Sequence, residues 1–351
     1  TMKKTKLSIR DNYTLNKDFK KLKPVSEYIE MKFPARMHVT LIDANRFISE
    51  RGTGGIGFAV QMDNVMRVSL ADEDYQNAPQ ESIPLIVHIT SVMKKIFDYK
   101  GGIQVNFHNH PFFHPHSGVG YSTAILTSCA YGLNRLFGTP LSGEEIQDLV
   151  IHNYTEVLHG KLSKATEAAT VTTGVGAFLT LKGGFVIVGG DFKIIYNRKI
   201  FPSYSVLLVD PGVVRIPDEQ ATASAMQKIL REDEAFRYHK AYLILMDLVP
   251  ALYSEDFETI GDIIWRFQFG GNNLLEGEKY EDGGKRISEI MYALRLSQKP
   301  RPIVGISAEG PIIYAISKNI DVTPKVCEEM NLRSFKTRVD NEGLKIIKVK
   351  E

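Results

Sequence analysis

The sequence is poor in cysteine, in tryptophan and in net charge. Two of its 351 residues are cysteine and one is tryptophan. Cys129 and Cys327 lie far apart and lack the spacing of a metal site, which argues against a cysteine-based metal centre. Cys129 falls on the apolar face of a predicted helix, as is typical of a buried free thiol. This cysteine usage favours a reducing, cytoplasmic setting.

Neither charge nor hydropathy points to a nucleic acid or a membrane as partner. Lysine and arginine number 43 against 41 aspartate and glutamate, a net charge of +2, so no broad basic face for nucleic acid is predicted. No apolar run reaches the roughly 18 residues that span a bilayer. Hydrophobic residues make up 43% of the chain, enough for a sizeable core, and the length suggests about two domains.

Periodicity predicts an α+β protein. Lysine-rich residues 1–33 are weakly periodic and are interpreted as a surface extension or edge element. Alternating or β-branched stretches predict strands at 35–43, 55–60, 65–71, 103–108, 177–181, 185–188, 204–209, 302–307, 312–317, 334–339 and 344–349. Helical spacing predicts helices at 82–99, 124–136, 143–158, 221–248, 257–269, 286–296 and 323–331. Strands followed by helices, with a closing β-β-α-β segment, suggest two intimately joined halves.

The stretch from His114 to Phe137 has the pattern of a glycine-rich turn that opens a helix. Ser117-Gly118 and Gly120 lead through two hydroxyl residues into the apolar helical pattern. Glycine allows positive φ and a close approach of an anion to the backbone, and a helix N-terminus favours phosphate. Alone, such a turn is more often an ordinary loop-to-helix joint. Two further glycine-rich patches, 172–184 and 305–311, strengthen the interpretation as a site.

The histidine run and the end of the first strand also carry candidate chemistry. Four of nine histidines lie within 108–116. Zinc binding is one interpretation, but no cysteine or carboxylate completes a ligand set there, so phosphate or substrate contacts are favoured. Asp43 ends an apolar strand face, an expensive position unless it is paired or liganded. Arg51 lies in a glycine-rich loop and suits a carboxylate or phosphate; the alternatives are a loop cap and a solvated arginine.

These patches together resemble the GHMP kinase superfamily. Its Pro-x-x-x-Gly-Leu-Gly-Ser-Ser-Ala motif is echoed from Pro115 to Thr123, one residue shorter and with Tyr121 for the first serine. The sequence is more similar to the beta-ribofuranosylaminobenzene 5'-phosphate synthase family, including the C-nucleoside synthases of the formycin and pyrazofurin type. The quoted matches are Arg-x-His-x-Thr-Leu-Ile-Asp at 36–43, Arg-x-x-Gly-Gly-x-Gly-Phe-Ala at 51–59, and the patches at 173–185 and 305–315.

The resemblance implies a fold and a reaction. The fold is a GHMP kinase-like α+β fold, with an N-terminal ribosomal-protein-S5-like half and a C-terminal ferredoxin-like half. The domains implied are an extension at 1–33, an anion-loop domain at 34–200 and a C-terminal domain at 201–351. The reaction is a decarboxylating C-glycosyl transfer from phosphoribosyl pyrophosphate to an aromatic carboxylic acid, 4-aminobenzoate or an amino-pyrazole dicarboxylate. Mg²⁺ is the implied cofactor, and a homodimer is the default oligomer.

The resemblance also implies roles for individual residues. Asp43 stabilises the cationic ribosyl centre and is a weak candidate metal ligand, and Arg51 holds the acceptor carboxylate. The residues expected to bind phosphate or phosphoribosyl pyrophosphate are His116, Ser117, Gly118, Val119, Gly120, Tyr121, Ser122, Thr123, Thr173 and Gly174. The residues expected to contact the substrates elsewhere are Arg36, His38, Gly54, Gly55, Ser307 and Glu309.

Gly176 separates the synthase interpretation from a kinase. Many GHMP kinases carry an aspartate at the corresponding position as the proposed base for the acceptor hydroxyl, and phosphoryl transfer without it lacks a proton acceptor. A synthase that expels CO2 needs no strong base, which agrees with Gly176. Two alternatives remain: an ATP-dependent small-molecule kinase, and a non-catalytic nucleotide-binding regulator on the same fold.

Overall fold

The computed structural model describes residues 19, 21–48, 52–155, 157–158, 161–162, 172–214, 219–269, 280, 282, 284–307, 310–318 and 323–351. Two main sheets organise this part of the chain. The strands of the larger sheet are β1 (Tyr28–Leu41), β2 (Gly55–Ala71), β3 (Tyr75–Asn77), β4 (Gly102–His108), β7 (Phe185–Val188), β8 (Ile194–Arg198) and β13 (Lys345–Lys350). Their order is β13-β1-β2-β4-β3, with β7 pairing the start of β2 and β8 pairing β7.

The smaller sheet is antiparallel, with the order β10-β11-β9-β12. It comprises β9 (Ser205–Asp210), β10 (Ile303–Ile306), β11 (Ile313–Ser317) and β12 (Arg333–Arg338). A two-residue ladder joins β5 (Val157–Leu158) to β6 (Lys161–Leu162). The predicted α+β class is confirmed.

The helices cover the sheets and bury their apolar faces. They are α1 (Ile83–Phe97), α2 (Tyr121–Leu136), α3 (Gly143–His152), α4 (Val175–Lys182), α5 (Glu219–Leu243, continued by a π-helical turn to Leu248), α6 (Val249–Ser254), α7 (Phe257–Phe269), α8 (Lys285–Leu296) and α9 (Thr323–Glu329). Helix α2 packs so closely on β1 that a Cβ on Gly132 would overlap the Met31 side chain. This contact holds the C-terminal half of α2 against the larger sheet.

The predicted hairpin at 55–71 is wrong, because β2 is one continuous strand. Both halves pair antiparallel with β1, and the register shifts between Phe33 and Ala35. Pro34 lies at this shift, where a residue without an N–H group is tolerated. The polar residues taken for a turn include buried Asn64, whose Oδ1 accepts a hydrogen bond from the backbone N–H of His110 at 3.0 Å.

Two further element predictions need correction. Residues 175–182 form α4 and not the first strand of a hairpin; the segment is buried on almost every side, and a short apolar run does not distinguish helix from strand. Helix α3 ends at His152 and not at 158, although its capping box between Ser142 and Glu145 is present as predicted. Part of the supposed N-terminal extension, 28–33, belongs to β1 and buries Ile29 and Met31.

The domain boundaries stay a prediction, but the strands show how closely the halves are joined. The proposed boundary after residue 33 falls inside β1, and the last strand, β13, pairs with β1 in the larger sheet. Val339 forms an isolated bridge with Val60, and the Asp340 N–H donates to the carbonyl of Ala59 at 2.9 Å. The chain thus returns to the larger sheet after completing the smaller one.

Candidate active site

The predicted glycine turn lies where the two sheets meet and leads directly into α2. Gly118 and Gly120 have φ values of 90° and 74°, and Gly120 is the N-cap of α2. The first-turn N–H groups of a helix have no intrahelical acceptors. In α2 these groups belong to Tyr121, Ser122 and Thr123. The turn therefore presents backbone donors and the positive end of a helix dipole in one place.

The late glycine-rich turn holds the first turn in shape. Ser307 Oγ donates to the carbonyl of Gly118 at 2.7 Å and accepts from the backbone N–H of His38 at 2.9 Å. A Cβ on Gly118 would overlap the Ser307 carbonyl oxygen, and one on Gly310 would overlap the Gly118 nitrogen. Ser307, predicted to bind substrate, is fully buried with its hydroxyl engaged in both bonds. It therefore positions the turn.

The N-terminus of α4 lies beside the N-terminus of α2. Gly174 caps α4 with φ 78°, and the Val175 N–H donates to Thr173 Oγ1 at 3.3 Å. A Cβ on Gly176 would lie 2.8 Å from Thr123 Cγ2 and 2.9 Å from Thr123 Cβ. The first turns of α2 and α4 are thus in contact, and their dipoles favour negative charge together. We call residues 118–123 and 173–176 the anion cradle.

His38 borders the anion cradle. Its side chain is 5% exposed, and its Nε2 has no hydrogen-bond partner within the described residues. A Cβ on Gly55 would lie 3.0 Å from this Nε2 and 3.2 Å from Thr173 Cβ, so the three residues are neighbours. Burial, and then the charges of Arg36 and Lys240, hold the pKa of His38 well below its usual value. The imidazole is therefore neutral and can hydrogen-bond a polar substrate group.

The neutral state of His38 predicts a pH dependence of stability. Because folding lowers its pKa, the unfolded chain takes up a proton first as the pH falls below about 6.5, and stability is lost there. His38→Gln removes this proton uptake. Between about pH 7.5 and about pH 5.5 the wild type should lose about 1.4 kcal/mol more stability than the variant. Urea unfolding without substrates measures the difference; equal losses in the two proteins would contradict the assignment.

Asp43 lies beyond the end of β1 and faces α5. Its Oδ1 accepts from the Asn45 N–H at 3.1 Å and lies 3.7 Å from Arg237 Nη1. Asp43 is 22% and Arg237 25% exposed, so both are accessible to a ligand. Arg237 Nε is buried and has no hydrogen-bond partner in the part of the chain that the structure describes. Arg237 is therefore an additional candidate cation for an anionic substrate.

A buried ion pair fixes α5 against the end of β1. Lys240 Nζ lies 2.7 Å from Asp233 Oδ1, and both side chains are fully buried. Lys240 also donates to the Leu41 carbonyl at 2.7 Å, while Asp233 Oδ2 accepts from the Ala44 N–H at 2.7 Å. These hydrogen bonds satisfy the buried charges, which would otherwise be costly. The pair thereby sets where Arg237, between its two members in sequence, meets Asp43.

Arg237 was missed in the sequence because it lies almost 200 residues after Asp43. A usable signal was present: Asp233, Arg237 and Lys240 recur at helical spacing and share one face of α5. Charged residues at this spacing normally form a solvated face. Only the packing of α5 on the end of β1 distinguishes this face from an ordinary exposed one.

Several predicted phosphate contacts have other roles for their side chains. Tyr121 is 4% exposed, with its ring 5.0 Å from that of Phe113, and burial raises the pKa of its hydroxyl. Ser117 is fully buried and donates to the His114 carbonyl at 2.7 Å. Val119 is a core residue whose carbonyl accepts from the Arg36 N–H at 2.9 Å. At these positions only the backbone is available to a phosphate.

Of the remaining predicted residues, four lie in the part of the chain that the structure describes and two lie outside it. Arg36 lies against the cradle, with its Nε 3.0 Å from where a Cβ on Gly120 would lie. Gly54 packs on the carbonyl of Val188, and Ser122 is half-buried in the cradle. His116 precedes the turn with φ 56° and is exposed. The residues outside the described part of the chain are Arg51 and Glu309.

The histidine run does not form a metal site in the described part of the chain. Within the residues that the structure describes, no group of three or more histidine, cysteine, aspartate or glutamate side chains could hold a metal ion. His110 instead packs against Phe335, with ring centroids 4.1 Å apart and ring planes tilted by 38°. Burial lowers the pKa of His110. The described helices also include none long and apolar enough to cross a membrane.

Comparison with known proteins gives the family context. The family described as GHMP kinases N terminal domain matches residues 85–172. Beta-ribofuranosylphenol 5'-phosphate synthase of Archaeoglobus fulgidus is 22% identical over 307 residues, 82% of this chain and 88% of the relative. The protein of the same name from Methanocaldococcus jannaschii is 23% identical over 318 residues, 80% of this chain and 87% of the relative. A mevalonate kinase of Aeropyrum pernix is 24% identical over 43% of each chain.

Solved structures carry the same fold. A homoserine kinase from Cytophaga hutchinsonii superposes with a TM-score of 0.64 at 16% identity, covering 95% of this chain and 100% of that one. The L. major mevalonate kinase in complex with R-mevalonate also gives 0.64, at 12% identity, with 92% and 99% covered. At these identities the superpositions speak for the fold alone. The sequence matches confirm the resemblance to the GHMP superfamily and to its ribofuranosyl phosphate synthases.

Proposed function

We propose that this chain, which has the GHMP fold, is an enzyme that transfers ribose 5-phosphate from phosphoribosyl pyrophosphate to a ring carbon of an aromatic carboxylic acid, with release of pyrophosphate and CO2. The observation that carries the proposal is the anion cradle, in which two helix N-termini meet around Gly176. Binding of a polyphosphate is favoured there. No carboxylate stands at 176 to deprotonate an acceptor hydroxyl, as a kinase would require.

The bonds that break and form in the proposed reaction determine which residues it needs. The ribose C1–oxygen bond breaks and pyrophosphate leaves with the electron pair, so negative charge grows at the cradle and positive charge grows at C1. The ring carbon attacks C1, and the electrons of its bond to the carboxylate then restore the aromatic ring as CO2 departs. Donors must stabilise the leaving group and a carboxylate must face the cationic centre. The backbone of 118–123 suits the first role and Asp43 suits the second.

The acceptor carboxylate needs a cation. Arg237 lies beside Asp43 with a side chain that is 25% exposed and an Nε without a hydrogen-bond partner among the described residues. Planar guanidinium groups bind carboxylates through two parallel hydrogen bonds. We assign Arg237 this role together with Arg51. The relatives are named for a ribofuranosylphenol product, so 4-hydroxybenzoate joins 4-aminobenzoate and amino-pyrazole carboxylates as an acceptor to test.

Mg²⁺ fits this site as a companion of the substrate. Mg²⁺ is usually held by one or two carboxylates and by substrate phosphates. Among the carboxylates described at the site, Asp43 is the one with an oxygen, Oδ2, that makes none of the contacts given above. When bound, the ion would neutralise charge on the departing pyrophosphate. The protein's own contribution is the set of backbone donors in the cradle and the neutral imidazole of His38.

The variant Gly176→Asp introduces the carboxylate that many GHMP kinases carry at this position. Its Cβ would lie 2.8 Å from Thr123 Cγ2, so α2 and α4 must separate and the cradle must distort. We expect weaker binding of phosphoribosyl pyrophosphate by about tenfold or more and no gain of ATP-dependent phosphoryl transfer. The double variant Gly176→Asp/Thr123→Ala should recover part of the binding. A Gly176→Asp protein that phosphorylates a small alcohol would favour the kinase alternative.

A thermal-shift comparison of donors tests the proposal. A ligand that binds only the native state raises the unfolding temperature. Phosphoribosyl pyrophosphate with Mg²⁺ should raise it, and ATP should have a smaller effect. Stabilisation by ATP and none by phosphoribosyl pyrophosphate would overturn the proposal in favour of a kinase. Stabilisation without turnover of any aromatic acid would favour a non-catalytic nucleotide-binding regulator.

A further inference from the structure

The turn between β7 and β8 carries a phenylalanine where its geometry favours glycine. The chain reverses over residues 190–193, and the Lys193 N–H donates to the Gly190 carbonyl at 3.2 Å. The two central residues, Asp191 and Phe192, have φ values of 52° and 56°, as in a type I′ hairpin turn. Aspartate tolerates this conformation, but the second central residue of such a turn is normally glycine. A bulky residue at positive φ is strained, and strained residues cluster at functional sites.

The ring of Phe192 lies between the N-terminus of α4 and the loop that joins β1 to β2. A Cβ on Gly174, the N-cap of α4, would lie 3.3 Å from Phe192 Cδ1. A Cβ on Gly52, in the loop, would lie 2.8 Å from Phe192 Cε1. The next residue of the loop, Thr53, accepts a hydrogen bond at its carbonyl from the Asp43 N–H at 3.0 Å. The ring therefore borders both the anion cradle and the loop that is bonded to Asp43.

Packing holds the Phe192 ring in place and leaves part of it accessible. Phe192 packs against the buried cluster that includes Val175 and Val188, yet its side chain is only half-buried. Tyr121, the aromatic residue at the first turn of α2, is 4% exposed and is not available to a ligand. Phe192 thus provides an aromatic surface, beside the anion cradle, that a ligand can reach.

The proposed reaction needs an apolar surface of this kind. In that reaction the acceptor approaches ribose C1 between the pyrophosphate in the anion cradle and the carboxylate of Asp43. The acceptor is an aromatic acid, and sites for such ligands combine an apolar wall with a few polar groups. Offset or edge-to-face contacts between aromatic rings also contribute more than the burial of their area.

From this position we propose that Phe192 packs against the ring of the acceptor acid and makes the site selective for aromatic over saturated acids. Glycine would suit the turn better but would present no ring, which accounts for the strained residue at 192. Phe192 is then a specificity-determining residue that takes no part in bond making. This inference rests on the proposed function, because it assigns a contact to the acceptor of that reaction.

Calorimetric titration with acids tests this inference on the full chain. The aromatic probes are 4-hydroxybenzoate, 4-aminobenzoate and an amino-pyrazole carboxylate, each titrated with pyrophosphate and Mg²⁺ present, a mixture that lacks a ribosyl donor and cannot react. The saturated counterpart of the first probe is 4-hydroxycyclohexanecarboxylate. Phe192→Leu keeps a branched apolar side chain, and Phe192→Tyr keeps the aromatic ring. Phe178→Leu is the matched control, because Phe178 is half-buried against the same cluster but lines a different surface, beside Lys182 and Gly183.

We expect an aromatic acid to bind the wild type more tightly than the saturated acid. Phe192→Leu should weaken binding of the aromatic acid by about five- to tenfold and leave the affinity for pyrophosphate unchanged. Phe192→Tyr should stay within about twofold of the wild type, and Phe178→Leu should bind like the wild type.

Three results would overturn the role of Phe192 and leave the proposed function standing. They are equal affinity for the aromatic acid in Phe192→Leu, an equal loss in Phe178→Leu, and a loss for the saturated acid as large as that for the aromatic one. A loss of pyrophosphate affinity in Phe192→Leu would also overturn it, since the ring would then support the cradle. If the wild type binds pyrophosphate but none of the aromatic acids, the proposed function and this inference both fail.

Discussion

Asp43→Asn should lower turnover by about 100- to 1,000-fold while leaving the structure intact. The amide keeps the oxygen that accepts from the Asn45 N–H, so the loop after β1 retains its main local contact. It loses the negative charge that faces the cationic ribosyl centre in the proposed reaction. Steady-state rates of pyrophosphate release with the preferred acceptor measure the effect.

The split between kcat and KM distinguishes this role from simple binding. An interaction made mainly in the transition state lowers kcat and kcat/KM together, and we expect that pattern for Asp43→Asn. Asp148→Asn is the matched control, since Asp148 is exposed on α3, away from both helix N-termini. A near-normal rate in Asp43→Asn, or an equal loss in the control, would remove Asp43 from the proposed mechanism.

Gly118→Ala should destabilise the protein and abolish phosphoribosyl pyrophosphate binding. The new Cβ would overlap the carbonyl oxygen of Ser307, and φ at this position is 90°, in the region that only glycine adopts readily. A left-handed conformation costs about 1–2 kcal/mol and overpacking about 1–3 kcal/mol. We therefore expect a loss of about 2–5 kcal/mol in the free energy of unfolding, measured in urea.

Gly143→Ala is the control for Gly118→Ala. It makes the same chemical change in the first turn of α3, where an added Cβ would have no atom within 4 Å. Because alanine favours a helix over glycine, this variant should be as stable as the wild type or slightly more stable. If both variants behaved alike, the close packing of Gly118 on Ser307 and Gly310 would not be what holds the cradle.

The glycine turn and α2 of the anion cradle could be predicted from the sequence, because the same neighbouring residues determine both the local structure and the anion-binding chemistry. Glycines before hydroxyl residues and an apolar helical pattern indicated the turn and α2, and both are present. The sequence shows glycine at 176, where many GHMP kinases carry a carboxylate. Its steric role could not be read from the sequence, because the contact with Thr123 joins two helices about 50 residues apart.

The errors share a physical origin in burial. Residues 55–71 contain polar residues that normally mark a turn, yet Asn64 is buried and paired with the His110 backbone, and the strand continues. Residues 177–181 are apolar enough for a strand, but they form a helix buried by the sheet and by α2. The family resemblance implies ligand contacts for Ser307 and Ser117, but the fold uses their hydroxyl groups for internal hydrogen bonds.

The measurement that tests the account most directly is release of pyrophosphate and CO2 from phosphoribosyl pyrophosphate, Mg²⁺ and a panel of aromatic acids. The panel contains 4-aminobenzoate, 4-hydroxybenzoate and amino-pyrazole carboxylates. The account predicts that one acid supports release of both products in equal amounts. Absence of release with every acid, together with ADP formed from ATP and a small alcohol, would contradict it and make the protein a kinase.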